Sequence, residues 1–280
     1  MRYSVTVTDY RWPDPSVHLG HIAASADESG VDTLWVADHL LQADPHHGTG
    51  DPMLEACTTL GFLAARTKRV GLGTMVTAAT FRPPAVTVKA TTTLDVLSGG
   101  RAWFGIGAGH DESEARAMGL PFPATAERFE RMEEIVRIAL HMWSGEESPF
   151  EGRHYRLENP VSSPRPARRP PILIGGTGER KTLRMVAQYA DACNFFDIPD
   201  GGRTIKHKLA VLARHCDDLG RNYAEIEKTV STRLFPGETA RAFADRCARF
   251  ADLGIGHVVV LSPEPWTEQG VALVGAAGSR

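Results

Sequence analysis

The stretch VGLGTMVTAATFRPPAVTVKATTTLDVLSGGRAWFGIGAG, from Val70 to Gly109, decides the fold class. Val70 to Val76 is a short apolar run, with glycines where a side chain would obstruct a close-packed or ligand-facing position, and it reads as a strand. A polar turn then leads to Arg82, Pro83 and Pro84. Prolines suit a helix start, because the first helical N–H groups have no intrahelical acceptor in any case. Val86, Ala90, Thr93, Leu94 and Leu97 recur at helical spacing, and Ser98, Gly99 and Gly100 end the helix. Arg101 to Gly107 reads as the next strand. A strand–helix–strand unit whose second strand ends in glycines predicts a parallel sheet with a ligand at its carboxyl ends.

Working outward, the same alternation continues along the chain. Strands are predicted at Tyr3 to Thr8, Val31 to Ala37, Ile172 to Ile174, Ala192 to Phe196, Ile226 to Arg233 and His257 to Leu261. Between them lie helices: one capped by Ser16 and ending at Gly30, then Pro52 to Arg66, Glu179 to Tyr189, Arg203 to Leu219 and Thr239 to Leu253. The clearest helix carries Phe129, Met132, Ile135, Val136, Ala139, Leu140 and Trp143 on one face, which predicts a core stripe. Eight strands with short helical connections favour an α/β fold of the closed (β/α)8 TIM type over an open doubly wound sheet, with residues 1–280 as a single barrel domain. Two departures from the simple alternation are expected. One is an insertion after strand 4, His110 to Pro123, charged and carrying Gly119, Pro121 and Pro123, as a lid would. The other, before strand 5, is a hairpin around Phe150, Gly152, Tyr155 and Leu157, followed by a proline-rich excursion from Pro160 to Pro171 that wraps the outside.

Composition narrows the function. A net charge of −3 with 23% charged residues leaves no basic surface for nucleic acid, and the densest cationic run, Arg165 to Arg169, is interleaved with prolines. Cys57, Cys193, Cys216 and Cys247 are widely spaced with no CxxC pair, which argues against zinc and thiol-redox chemistry and for a reducing compartment. The chain opens on a strand-like run, and no stretch approaches membrane-spanning length. The expectation is a cytoplasmic protein without a membrane partner.

Three places could carry chemistry. Gly175, Gly176, Thr177 and Gly178 stand between a strand and a helix, where backbone N–H groups can approach an anion at the positive helix end. Phosphate is the natural guest, and a bare tight turn is the alternative. Lys181 and Thr182 come near a P-loop in register, but Arg180 stands where that motif needs glycine. Gly105, Gly107 and Gly109 have the wrong spacing for a dinucleotide fingerprint, so small residues there suit a flat ring lying against the barrel mouth. Asp38 and His39, at the carboxyl end of the second strand, form the best acid–base pair, since histidine titrates near neutrality and an adjacent carboxylate can hold its orientation; a histidine that merely caps the following loop is the alternative. His46, His47 and His110 invite a metal, yet neither HxH nor HExxH occurs and no metal is expected. Glu112 and Glu114 belong to the mouth or to its solvated rim.

Taken together, several segments resemble the luciferase-like monooxygenase superfamily, in particular its coenzyme F420-dependent oxidoreductase branch. They are WVADH at Trp35 to His39, LGTMVT at Leu72 to Thr77, TTLDVLSGGRAWFGIGAG at Thr92 to Gly109, RFERMEE, FEGRHYRL, and PPILIGGTGERKTLRMVAQYADACNF ending near Asn194. Their order and spacing over more than half the chain carry the likeness. It implies a (β/α) barrel with a flavin or deazaflavin at the carboxyl face, commonly in a homodimer. It implies a non-prolyl cis peptide at Met75-Val76, behind the ring, and a phosphate turn at Gly175, Gly176, Thr177 and Gly178. The ring and ribityl neighbours it implies are Asp38, Thr77, Gly107, Ala108 and Gly109. His39 matches a histidine with acid–base or ring-contacting roles, and His110 falls in the substrate pocket. Members that oxidise a sugar phosphate carry a catalytic glutamate where this sequence has His110, which disfavours that substrate. The resemblance thus implies an oxidoreductase that binds coenzyme F420 and passes a hydride to or from a small organic substrate. The alternatives are a monooxygenase using reduced FMN and oxygen, and a non-catalytic flavin-binding protein.

Overall fold

A computed structural model describes residues 1–43 and 47–278. β1 (Arg2–Val7) leads to α1 (Pro15–Ser29), β2 (Thr33–Val36) and α2 (Ala56–Arg66). The opening stretch folds as β3 (Gly71–Thr74), a two-residue continuation β4 (Thr77–Ala78), α3 (Pro84–Ser98) and β5 (Ala102–Gly107). Next come α4 (Glu112–Ala117), α5 (Thr125–Ser144) and the short pair β6 (Phe150–Glu151) and β7 (Arg156–Leu157). The chain then alternates β8 (Ile172–Gly175), α6 (Thr182–Tyr189), β9 (Ala192–Phe196), α7 (Arg203–Leu219), β10 (Glu227–Arg233), α8 (Ala240–Ala251), β11 (His257–Leu261) and α9 (Glu268–Gly278).

The main sheet runs β3-β2-β1-β11-β10-β9-β8-β5-β4, and an added β3–β5 pairing closes it. All of its pairings are parallel. Because β4 continues β3 beyond Met75 and Val76, the result is an eight-stranded (β/α) barrel. Side chains alternate along each strand, so the barrel has two apolar regions. Outward residues such as Val5, Leu34, Leu72 and Phe104 pack against the helices. Inward ones, Trp35, Leu173, Ala192 and Val259, fill the lumen together with Met75, Val76 and Trp103. Trp35 and Trp103 lie 5.5 Å apart by ring centroid. Gly73 makes room for them, since a Cβ there would come within 2.8 Å of both indole side chains.

Several boundaries move for local reasons. Asp14, not Ser16, caps α1, its carboxylate accepting from the N–H groups of Ser16 and Val17 with Pro15 in the first turn. α2 starts at Ala56 instead of Pro52, because Glu55 accepts from the N–H groups of Cys57 and Thr58. α6 starts at Thr182 instead of Glu179. On α3 the face toward the core carries Val88, Thr92, Leu94 and Asp95, so Val86 and Leu97 are exposed, Leu97 by 72%. The insertion holds the unforeseen helix α4, docked through Ala115 and Glu114, and the C-terminal helix α9 was likewise not read from the sequence. β6 and β7 pair antiparallel as the expected hairpin. The proline-rich run beyond it passes over α3 and α5, where Lys89 meets the Ser163 carbonyl and Arg165 donates to that of Gly145. Among the described residues, no helix is long and apolar enough to cross a membrane.

Candidate active site

Val76 is the hub of the barrel mouth. The peptide bond from Met75 to Val76 is cis, at the position the family likeness implied. The glycines of β5 and β8 are shaped around this bulge. A Cβ on Gly107 would come 2.9 Å from Val76 Cγ2, one on Gly175 2.7 Å from the same atom, and one on Gly105 only 1.9 Å from the Thr74 carbonyl oxygen. Gly105 and Gly107 are therefore required by the bulge itself, independently of any ring beyond it.

Above Val76 opens a cavity of about 550 Å³ at the carboxyl ends of the strands. Every residue assigned to the site from sequence, from Asp38 and His39 through Met75, Val76, Thr77 and the Gly107–His110 run to Gly175–Gly178, lines this one cavity. At its glycine turn, Gly176 has a φ of +102°, which a residue with a Cβ rarely adopts. Lys181 precedes α6 without making a side-chain cap, so the helix start keeps its positive end for an external anion. Arg128, from the first turn of α5, lines the same cavity and is its one Lys or Arg among the described residues. Its guanidinium lies 4.0 Å over the Phe122 ring and donates to the Pro123 carbonyl at 2.7 Å, while its buried Nε has no partner among the described residues. α5 and the glycine turn are neighbours, with Lys181 Nζ 5.4 Å from the Phe129 ring centre.

Glu114, which the sequence left between the mouth and its solvated rim, holds His39. The imidazole Nδ1 lies 2.7 Å from Glu114 Oε2, and the other oxygen of that carboxylate accepts from the backbone N–H groups of Leu40 and Leu41. Glu114 is only 3% exposed. His39 Nε2 has no protein partner among the described residues, and the ring faces the cavity between His110 and Phe81, at centroid distances of 5.6 and 6.5 Å. Asp38 does not orient His39. Consecutive side chains at a strand end diverge, and its carboxylate instead takes Arg82 at 2.6 and 3.0 Å together with the Thr77 hydroxyl. Arg82 also reaches Glu55. Burial alone would raise the Glu55 carboxyl, but the N–H groups of Thr58 and Cys57 and this guanidinium hold it at about 2.

The remaining candidates are less central. Glu112 stays on the exposed rim, paired with Arg116. His47 sits in the loop beside Asp9 and Asp51, while His46 lies outside the described residues. Among the described residues, no group of three or more His, Cys, Asp or Glu is arranged to hold a metal. Sequence reasoning missed Glu114 and Arg128 as site residues. The first had no local signal for this role: Asp111 caps α4 through the Glu114 N–H at 2.9 Å, which places Glu114 in the first turn but does not direct its carboxylate to His39. Arg128 had none either.

The model of the family described as luciferase-like monooxygenase matches residues 8–267. The chain belongs to this family. Among curated relatives, the F420-dependent glucose-6-phosphate dehydrogenase of Kineococcus radiotolerans is 34% identical over 232 residues, 80% of this chain and 66% of that protein. The enzyme of the same name from Nakamurella multipartita is 38% identical over 174 residues, 62% of this chain and 50% of its own. The chain thus spans about half to two thirds of the length of these relatives. Solved structures superpose on almost its whole length. An F420-dependent secondary alcohol dehydrogenase in complex with an F420-acetone adduct has a TM-score of 0.83 at 18% identity, covering 99% of this chain and 98% of the other. EDTA monooxygenase from Chelativorans sp. BNC1 has a TM-score of 0.82 at 12% identity, covering 99% and 92%.

Proposed function

We propose that this protein is an F420-dependent oxidoreductase acting on a small organic molecule. The observation that carries the reading is the placement of His39. One of its nitrogens is held by Glu114 and the other is open to a cavity that also contains the Val76 bulge and the glycine turn. The residues present fit a phosphate-bearing tricyclic cofactor. Gly175, Gly176 and Gly178 leave a cradle to which only Thr177 adds a side chain, Arg128 offers a buried Nε with no partner among the described residues, and Val76 backs a flat surface. The F420 dependence of the curated relatives favours F420 over FMN.

When bound, a deazaflavin supplies two-electron hydride chemistry, having carbon where a flavin has its reactive central nitrogen. The protein's residues do the rest. Val76 and the Gly107–Gly109 run would back the ring, and Asp38, paired with Arg82, would border it. Glu114 holds His39 Nδ1, so Nε2 is presented to the substrate's exchangeable proton. Phe81 and Phe122 line the mouth and keep water from the reacting atoms. Titration with F420 and, separately, FMN, followed by fluorescence, tests the assignment: saturable binding of F420 well below the FMN dissociation constant supports it, and preferential FMN binding favours the monooxygenase. A carboxylate at the glycine turn, Gly176→Asp, will weaken F420 binding on the order of tenfold or more through its charge and its positive φ; unaltered affinity removes the turn from the site.

The cytoplasm and a homodimer complete the proposal. Supporting them are four unpaired cysteines and the uncovered stripe on α3 that includes Val86 and Leu97. Sedimentation of wild-type protein against Leu97→Glu checks the dimer.

A further inference from the structure

Two sets of contacts pin the segment after β5, one near each of its ends. Near its start, Glu114 Oε2 lies 2.7 Å from His39 Nδ1, and Oε1 accepts from the N–H groups of Leu40 and Leu41. Near its end, the Arg128 guanidinium lies 4.0 Å over the Phe122 ring and donates to the Pro123 carbonyl at 2.7 Å. What joins the two is short and stiff. Asp111 caps α4, the Met118 N–H reaches the Glu114 carbonyl at 2.9 Å, the Leu120 N–H reaches that of Ala115 at 2.8 Å, and Ala115 is buried. A close-packed link of this kind transmits a displacement of Phe122 to Glu114 with little slack.

Arg128 is equipped to receive such a displacement from the cavity. Its hydrogen bonds among the described residues go to neutral acceptors, the Pro123 carbonyl and, at 3.3 Å, the Thr125 hydroxyl. Nε is buried with no partner among the described residues, and the residue lines the cavity together with the glycine turn. The face of the guanidinium and its Nη1 therefore hold the segment, while the Nε edge is left for an anion. A phosphate oxygen at Nε makes a charge-assisted hydrogen bond that fixes the plane of the guanidinium, and the positions of Phe122 and Pro123 follow that plane.

We infer that Arg128 is a positioning residue for His39: phosphate at the glycine turn engages Nε, the guanidinium holds Phe122 and Pro123, and α4 carries this restraint to the Glu114 carboxylate on His39, Leu40 and Leu41. The inference rests on the phosphate-bearing deazaflavin reading and adds to it a coupling between the cofactor's phosphate and the histidine. Binding energy from a part of the cofactor that does not react is thereby used to orient a group that does.

The test uses the full chain with F420 and with the same deazaflavin ribitol lacking its phosphate, each brought to saturation by fluorescence titration. Its readout is amide hydrogen exchange at Leu40 and Leu41, followed by NMR. These N–H groups donate to Glu114 and belong to the loop after β2, so an arginine that only held phosphate would leave them unmoved. F420 should slow their exchange on the order of tenfold more than the phosphate-free compound does, within the usual range of coupling between sites. Arg128→Gln should abolish that difference while the phosphate-free compound still binds within a few-fold of wild type. Phe122→Ala, which keeps Nε and removes the ring under the guanidinium, should shrink the difference as well, and it carries the test where Arg128→Gln does not fold. Equal protection by the two compounds in the wild-type protein overturns the inference, as does survival of the full difference in either folded variant. If FMN binds and F420 does not, the deazaflavin reading falls and FMN against riboflavin decides the coupling by the same readout. If no phosphorylated ring binds, both fall.

Discussion

The barrel holds a histidine–carboxylate pair at each end, and the two differ in what is left over. At the mouth, His39 Nδ1 meets Glu114 at 2.7 Å and Nε2 is open to the cavity. At the floor, His257 Nδ1 meets Glu227 at 2.6 Å while Nε2 is taken by the Ser4 hydroxyl at 2.5 Å, and the ring is 1% exposed. The chemistry of the two pairs is nearly the same. A histidine with both nitrogens engaged inside the protein offers none to a substrate and ties β1, β10 and β11 together. One with a single nitrogen engaged is oriented and still able to act. The difference matches the division of labour in such barrels, with stability at the amino-terminal face and chemistry at the carboxyl face.

Four variants can break this contrast. His39→Ala should leave F420 affinity within a few-fold and the melting temperature near wild type while turnover falls on the order of a hundredfold; steady-state kinetics with unchanged kcat would remove His39 from the mechanism. His257→Ala should do the reverse. Loss of a buried pair costs about 3 kcal/mol, measured by urea unfolding, with activity per folded molecule retained. Glu114→Gln keeps the shape and an acceptor but not the charge, and kcat should fall roughly tenfold with KM little changed. A wild-type kcat in that variant would show that the carboxylate serves only to dock α4.

The smallest effect concerns acid. Burial alone would raise the Glu227 carboxyl, but its hydrogen bond and charge interaction with His257 and the Arg2 guanidinium hold it below the ordinary 4.5. A depressed folded value contributes stability that is complete above about 4.5 and is lost as pH falls below it through the folded value. Glu227→Gln should therefore flatten the acid side of the stability curve; an acid limb of unchanged steepness would show that other carboxylates govern it.

Much of this was legible in the sequence. The eight strands stand within a few residues of their expected places because inward and outward faces of a barrel strand are both apolar, giving short unbroken runs such as His257–Leu261. The glycine turn and the cis bond at Met75-Val76 were likewise anticipated. What failed were matters of direction. Val86 and Leu97 have helical spacing but lie on the outer face of α3, since periodicity defines a stripe without saying which side of the helix meets the sheet. Asp38 and His39 are adjacent in sequence and diverge in space, whereas Glu114 lies 75 positions from His39 and touches it. Such a long-range pairing depends on where the insertion docks, which no local pattern encodes.

The docking of α4 through Glu114 bears on how such barrels can be re-engineered. Substrate scope in this architecture is usually altered by exchanging the loops at the mouth. Here the segment after β5 and the loop after β2 share one carboxylate, which accepts from Leu40, Leu41 and His39 at once. The two loops therefore form a single transplantable module. A graft spanning residues 108–124 that lacks glutamate at position 114 will import a new pocket wall and discard the partner of His39 in the same step.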